Sequence, residues 1–355
     1  MSLFIILFIL IALFAVMDYY SQHNIGLFLS AIVLAVVAGI RYNVGYDYQS
    51  YYWYYQSGQN IGNGERFQWG FILLNKIAHF LHFSFFDFQF LFSCLTIGLL
   101  AYFLYKNIPA GISGLGMLYY FSRFYWIRDL GQIRSSLASV ICLYSIKYIR
   151  ERKFLPFLLV ILLAGSIHKG AYIFILAYFV ANFLNKNFTI KQTIAYLVIF
   201  LAGGELLTRF PALVQKIMNN STYTTAMVYT SGSSGSIATV IIQVVVILMF
   251  AFVRKNICDK KEQHFVDSIA NVYLTGTLIA LIFIGYRTLG YRLDTLLNTT
   301  ELILVPYLVS KLSNNKTVVV MINIIASAAV LYMIMFYGGS YLNFVPFTTV
   351  FSPIK

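Results

Sequence analysis

Long apolar runs recur along this chain with most of the charges confined to the gaps between them, and nothing else limits its fold so strongly. From Leu3 to Met17, "LFIILFILIALFAVM", no side chain is polar. A membrane crossing takes roughly 20 apolar residues, fewer where a span is short or kinked. By that measure spans are expected near 2–17, 25–40, 88–105, 110–127, 133–149, 154–167, 170–184, 192–207, 236–253, 266–285, 296–310 and 317–337. The chain therefore reads as all-α and polytopic, an integral membrane protein with about 12 transmembrane helices. The first run lacks a positively charged lead and a small-residue cleavage pattern after it, so it reads as a retained helix and not as a signal peptide.

Composition narrows the function. Of 355 residues, 60% are hydrophobic and 10% charged, against about a quarter charged in an ordinary soluble domain. A net charge of +13 has no soluble basic face on which to hold a duplex. Nucleic acid is therefore excluded as a partner, and anionic lipid or an anionic lipid-linked substrate is expected instead. Cys94, Cys142 and Cys258 lie far apart, which indicates neither a disulfide framework nor a metal cluster. There is no Asp-x-Asp pair and no histidine cluster, so no metal or other cofactor is expected.

No internal repeat and no soluble domain stand out, and residues 1–355 read as a single membrane-embedded domain with "TSGSSGS" (230–236) as a flexible loop. The segment "FQWGFILLNKIAHFLHF" (67–83) is set apart by Asn75, Lys76, His79 and His82, at helical spacing on one side of an otherwise apolar helix. It is expected to lie in the membrane interface or to re-enter.

Placing "RERK" (150–153), "NKNFTIK" (185–191), "RKNICDKKEQ" (254–263) and "KLSNNK" (311–316) in the cytoplasm follows the positive-inside tendency. Residues 41–87, 128–134, 168–169, 208–235, 286–295 and the C-terminal tail then lie outside, with 41–87 and 208–235 as outer loops, the first carrying an amphipathic helix. Lysines concentrate on the inner side. Arg41, Arg66, Arg123, Arg128, Arg134, Arg209, Arg287 and Arg292 fall outside or in the outer half of a span. Arginine offers a planar fork that binds phosphate bidentately and stays charged when partly desolvated, whereas lysine is a hydrated point charge. An arginine-rich outer face suits a diphosphate. Several of these arginines also have an acid nearby (Glu65 for Arg66, Asp129 for Arg128, Asp294 for Arg292), and structural pairing fits the sequence as well as substrate binding does.

In "GIRYNVGYDYQSYYWYY" (39–55), Arg41 and Asp47 bracket Gly45 on a turn-rich loop. Asp47 fits either an ion pair with Arg41 or a catalytic base. Tyr48 and Tyr51 would share one helical side, and Tyr52, Trp53, Tyr54 and Tyr55 would anchor in the headgroup layer. Arg128 and Arg134 flank "DLGQI", with Arg134 near a helix N-terminus whose dipole adds positive charge. In "GYRTLGYRLDT" (285–295), Tyr286 and Tyr291 each precede an arginine, Arg287 and Arg292. His168 precedes Lys169 at an outer turn, where it serves as a packing residue or a base. Glu301 sits farther into a span, where it must be neutral or paired.

The stretches "GIRYNVGYDYQSYY" (39–52), "ERFQWGFILLNKI" (65–77), "LGQIRSSLASVICLYSIKYI" (130–149), "SIHKGAYIFILAYF" (166–179) and "YRLDTLLNTTELILVPYLV" (291–309) resemble, in order and spacing, the EpsG-type polysaccharide polymerases, distant relatives of the Wzy O-antigen polymerases. The resemblance covers most of the chain. It departs where the family often has Arg-Gln and this chain has Arg134-Ser135, and where a His-aromatic-Ser-Ala is replaced by His168-Lys169-Gly170-Ala171.

What the resemblance implies is a GT-C-like glycosyltransferase at the outer face of a bacterial cytoplasmic membrane. It would transfer a growing glycan from undecaprenyl diphosphate to a hydroxyl of the next lipid-linked repeat unit, without a metal. The implied partners are the donor and acceptor lipids, membrane lipid and a chain-length regulator protein. A departing diphosphate needs charge stabilisation, for which Arg134 is the candidate. The acceptor hydroxyl needs a base, for which Asp47, Glu65, His168 and Asp294 are candidates. Arg41, Tyr48, Tyr51, Glu65, Arg128, Lys169, Arg287, Arg292 and Asp294 are the expected substrate contacts. The alternative is a flippase for lipid-linked sugars, although such transporters often carry internal repeats and a charged path through the bilayer. A membrane-bound acyltransferase is a further rival, supported only by His168.

Overall fold

The computed structural model describes residues 2–57, 67–184, 188–210 and 237–351. Glu65 and nearly all of the expected loop 208–235 lie outside the described residues. The chain forms α1 (Ser2–Ser21), α2 (Ile25–Gly39), α3 (Tyr48–Gln56), α4 (Trp69–Phe80), α5 (Phe85–Asn107), α6 (Ile112–Tyr120), α7 (Trp126–Arg128), α8 (Ile133–Arg150), α9 (Phe154–Ile167) and α10 (Phe174–Phe179). It continues as α11 (Ile190–Thr208), α12 (Ile237–Val253), α13 (Lys260–Ile282), α14 (Arg287–Asp294), α15 (Glu301–Leu312) and α16 (Lys316–Tyr332). Helix is what such a sequence dictates, because in hydrocarbon each backbone N–H and C=O must be satisfied within the chain.

Among the described residues, six helical stretches are long and apolar enough to cross a membrane: Leu3–Ser21, Phe85–Asn107, Ile190–Thr208, Ile237–Asn256, Lys260–Ile282 and Lys316–Tyr337. The protein is a polytopic membrane protein. Of the other expected spans, Ile25–Gly39, Phe154–Ile167 and Lys169–Phe183 are shorter apolar helices. The stretch expected at 110–127 is interrupted, with a π-helical turn at Phe121–Tyr125 between α6 and α7.

The chain divides into two compact units, the first comprising Met1–Tyr144, Leu162–Ala171 and Val305–Lys355, the second Ser145–Ile161 and Tyr172–Leu304. In the first, α2 packs along α5 and α1 along α6. Helix α5 opens with a capping box, Ser84 accepting from the Asp87 N–H while the Asp87 carboxylate accepts from the Ser84 N–H. This box closes a tight turn from α4, and α4 lies back against the start of α5, with the Phe71 ring 6.0 Å from both Phe88 and Phe92.

The segment 67–83 therefore pairs with a spanning helix. Its polar residues do not form one wet side as the spacing suggested. Asn75 is buried and donates to the Phe71 carbonyl at 2.7 Å. The His79 ring stacks on Tyr55 at 4.1 Å, while Lys76 and His82 are exposed. The tyrosines of α3 answer this arrangement: Tyr54 and Tyr55 are buried, and Tyr55 donates to the Phe83 carbonyl at 2.7 Å. Of the expected anchoring group only Trp53 is largely exposed, at 62%.

In the second unit α13 is the central element, buried along nearly its whole length from Val266 to Leu281. Arg254 forks onto Asp267 with bonds of 2.7 and 2.8 Å, and Arg150 lies 5.6 Å from the Phe265 ring.

The α1–α2 turn depends on Asp18. Its carboxylate is buried and accepts from the N–H groups of Gly26 and Leu27 at 2.7 and 2.6 Å, two of the donors that the start of α2 leaves without helical partners. Asp18→Ala should cost about 2–3 kcal/mol, since buried hydrogen bonds to a charged group are lost and their donors stranded. Asp18→Asn, which keeps one acceptor, should cost less; thermal unfolding in detergent measures both.

Candidate functional site

Residues 40–48 leave α2 and turn across the first unit. Gln89 of α5 fixes the exit by donating from Nε2 to the carbonyls of Gly39 and Arg41, at 2.7 and 2.9 Å. Asn43 and Gly45 both have positive φ, 51° and 105°. At Gly45 this is obligatory on two counts, since a Cβ there would also lie 1.9 Å from the Leu130 carbonyl oxygen. That close approach stacks the loop bearing Arg41 and Asp47 on the turn between Arg128 and Arg134.

Arg41 points inward. Its side chain is 1% exposed, donates from Nη1 to the Ala38 carbonyl and lies 6.0 Å from the Tyr48 ring centre. Its Nε has no hydrogen-bond partner among the described residues. Burial pulls its pKa down to about 10, so it remains a cation at neutral pH.

Beneath the loop, Asp129 is buried and accepts from Tyr120 Oη at 2.6 Å and Ser136 Oγ at 2.8 Å. Arg128, also buried, donates to Ser139 Oγ at 3.2 Å, and Ser139 donates to the Ser136 carbonyl at 2.8 Å. The Arg128 guanidinium lies 4.2 Å from the Phe124 ring. Burial pushes the Asp129 carboxyl up to about 6; the hydrogen bonds from Tyr120 and Ser136, with Arg128 and Arg41 nearby, oppose that rise. The sequence identified Asp129 only as a partner for Arg128. Tyr120, Ser136 and Ser139 gave no sequence signal at all, being neutral residues in apolar runs.

Arg134 stands on the first turn of α8. Its guanidinium lies 4.4 Å from the Phe67 ring, 5.6 Å from Phe71 and 5.8 Å from Tyr51. Nη1 donates to Gln68 Oε1 at 2.9 Å, and Nε is buried with no partner among the described residues. Gln68 was not singled out by sequence reasoning. Tyr51 stands between the two arginines: its ring faces Arg134, and Arg41 is within electrostatic range of it. Burial raises the Tyr51 phenol, against the pull of Arg134.

The start of α4 also reaches the turn after α9. Two residues beyond Gln68, Gly70 sits so close to Ser166 that a Cβ would be 2.3 Å from its Oγ. His168, two residues on, is half-buried, and Lys169 is exposed at the start of a 3-10 turn, Lys169–Ile173. Arg41, Asp47, Tyr48, Tyr51, Arg128, Arg134, His168 and Lys169 thus all belong to the first unit.

Of the remaining expected contacts, Arg287, Arg292 and Asp294 belong to the second unit. Asp294 is buried and accepts from Gln243 Nε2 of α12 at 2.9 Å, and Arg292 is exposed on α14. Arg287 begins α14, but its side chain lies outside the described part, as Glu65 does entirely.

Arg41, buried, and Arg134, half-buried, thus each keep a spare Nε donor beside a tyrosine-rich loop. The EpsG family model matches residues 24–349. The chain belongs to the EpsG family. Membership supports a polysaccharide polymerase-type function, and the matched range takes in every residue placed in the site above. No curated protein and no solved structure matches the chain.

The raised Asp129 carboxyl should make the stability of this family member depend on pH. The folded state holds its proton more tightly than the unfolded chain does, so its contribution to stability is greatest at low pH. That contribution falls as pH rises from about 4, the ordinary carboxylate value, through about 6. Asp129→Asn removes the titration. The stability of the variant relative to the parent should therefore rise across that window and level off above it. Thermal unfolding at a series of pH values checks this, and a gap constant with pH would contradict it.

Proposed function

We propose that this protein is a Wzy-like polysaccharide polymerase that transfers the growing glycan from undecaprenyl diphosphate to a hydroxyl of the next lipid-linked repeat unit. The reaction takes place at the outer face of the bacterial cytoplasmic membrane, in a GT-C-like architecture of about 12 spans. The acceptor oxygen forms its bond to the anomeric carbon, the bond from that carbon to the diphosphate breaks, and the acceptor proton passes to a base. The lipid diphosphate leaves as an anion. The observation that carries the reading is the pair Arg41, buried, and Arg134, half-buried, each with a buried Nε that has no partner among the described residues. Donors already oriented and desolvated stabilise a developing diphosphate charge without reorganising when the bond breaks.

Asp47 and His168 are the base candidates on the first unit, with Glu65 and Asp294 as the further ones. Arg128 and Lys169 add positive charge, and Tyr48 and Tyr51 offer sugar-binding surface; Arg287 and Arg292, in the second unit, are further candidate substrate contacts. The exposed apolar face between α4 and α5, a groove of about 230 Å³ lined by residues such as Leu74, Ala78, Phe88 and Leu95, offers hydrocarbon-compatible surface for a lipid chain. No group of three or more His, Cys, Asp or Glu able to hold a metal occurs among the described residues. Arginine charge takes the role a cation would have. Donor and acceptor lipids are the principal partners, and a chain-length regulator protein is a further one.

Reconstitution with a lipid-linked repeat unit tests the proposal. Lengthened glycan on the lipid supports it, and translocation without lengthening would identify a flippase instead. Arg41→Lys and Arg134→Lys should each lower the rate about 10²-fold, the scale of losing one oriented donor, with folding preserved; full activity in both would defeat the arginine assignment. Activity should survive thorough treatment with chelator, and its loss with recovery on adding magnesium would rule out the metal-free mechanism.

A further inference from the structure

The loop bearing Arg41 and Asp47 is held by a part of the chain some 300 residues away. The Tyr42 N–H donates to the Thr348 carbonyl at 2.9 Å, the Val350 N–H to the Ile40 carbonyl at 2.9 Å, and the Gly45 N–H to the Asn343 carbonyl at 3.2 Å. Thr348 Oγ1 adds a bond to the Tyr42 carbonyl. Arg41 and Thr349 form the antiparallel bridge at the centre of this pairing. Such a short pairing is marginal by itself, and it is anchored by Phe344. That ring is fully buried, edge-on to Tyr46 at 5.8 Å and 5.9 Å from Trp126.

We propose that residues 343–350 are a clamp that positions the Arg41–Asp47 loop for substrate, with Phe344 as the positioning residue that seats it. The inference rests on the reading of that loop as part of the substrate site. Gln89 holds only the helix-exit side of the loop, through the Gly39 and Arg41 carbonyls. The Leu130 carbonyl forms its floor at Gly45. The backbone donors of Tyr42 and Gly45 and the acceptors of Ile40 and Tyr42 are satisfied by the tail. The same bonds that order residues 343–350 order the loop. If they are lost, Arg41 keeps its charge but its direction relaxes, and a misplacement of about 1 Å in a catalytic constellation costs about 10²-fold in rate.

The test uses the full-length protein in lipid vesicles with the lipid-linked repeat unit as substrate. Three variants are compared with the parent: Phe344→Ala, Phe344→Leu and Val350→Pro, the last removing a single N–H donor. Phe344→Ala and Val350→Pro should lower kcat/KM about 10²-fold while the midpoint of thermal unfolding moves by only a few degrees. Hydrogen–deuterium exchange at Tyr42 and Gly45 should quicken by at least about tenfold, with the amides of α5 unchanged. Phe344→Leu should recover most of the activity and the protection. Exchange in residues 40–48 that stays at the parent rate, or activity that falls only in step with the folded fraction, would overturn the clamp. A parent that binds and lengthens no lipid-linked glycan overturns the functional reading and the positioning role with it, whereas unchanged exchange in variants of an active parent overturns the clamp alone.

Discussion

A charged guanidinium with little water around it is the constraint on which the first unit is organised. Arg41 is 1% exposed, and an ion so placed is tolerable only if its surroundings offer oriented dipoles, π-faces and a counter-charge within reach. The Ala38 carbonyl, the Tyr48 ring and the more distant Asp129 provide these. To hold the guanidinium there, the backbone after α2 must turn sharply over Leu130, which only a glycine at position 45 permits. That turn in turn sets where α3 begins, and α3 carries Tyr51 to Arg134. A single buried cation thus fixes the path of the chain through the whole site.

Asp129 lies within electrostatic reach of both Arg41 and Arg128, and its own carboxyl is pushed towards the neutral form by burial. Around Arg134 stand Gln68 and three aromatic rings. Aromatic faces stabilise a desolvated cation by about 2 kcal/mol or more without neutralising it, which a carboxylate would do. Lysine could not substitute faithfully, since its compact ammonium is more strongly hydrated and lacks the planar fork.

Much of the architecture was legible in the sequence because hydropathy depends only on residue type. The runs that became α1, α5, α11, α12, α13 and α16 were all found, as were the positions of Arg41, Arg128 and Arg134 just beyond apolar stretches. The same reasoning failed where a polar residue on a helix has two possible destinations. Asn75 and His79 share the spacing of Lys76 and His82, yet they turn towards Phe71 and Tyr55 rather than water. Tyr54 and Tyr55 resemble interfacial anchors in composition but are packed inside. For His79, Tyr54 and Tyr55 the deciding partner lies on another segment, and one-dimensional periodicity carries no information about it.

The sequence by itself determined that this chain is a helical membrane protein of the EpsG family and that arginine, not lysine, gathers at the loops after α2 and before α8. Both follow from local properties, namely the free energy of burying each side chain and the order of short motifs. Only the tertiary structure decided which groups hold those arginines: Gln68 beside Arg134, the Tyr120–Asp129–Ser136 network beneath Arg128, and the tail from Asn343 to Val350 along Arg41. These partners are mostly neutral side chains or bare backbone, drawn from segments as many as 300 residues apart. A peptide carbonyl has the same chemistry at every position, so its role at Arg41 appears only once packing has brought it there.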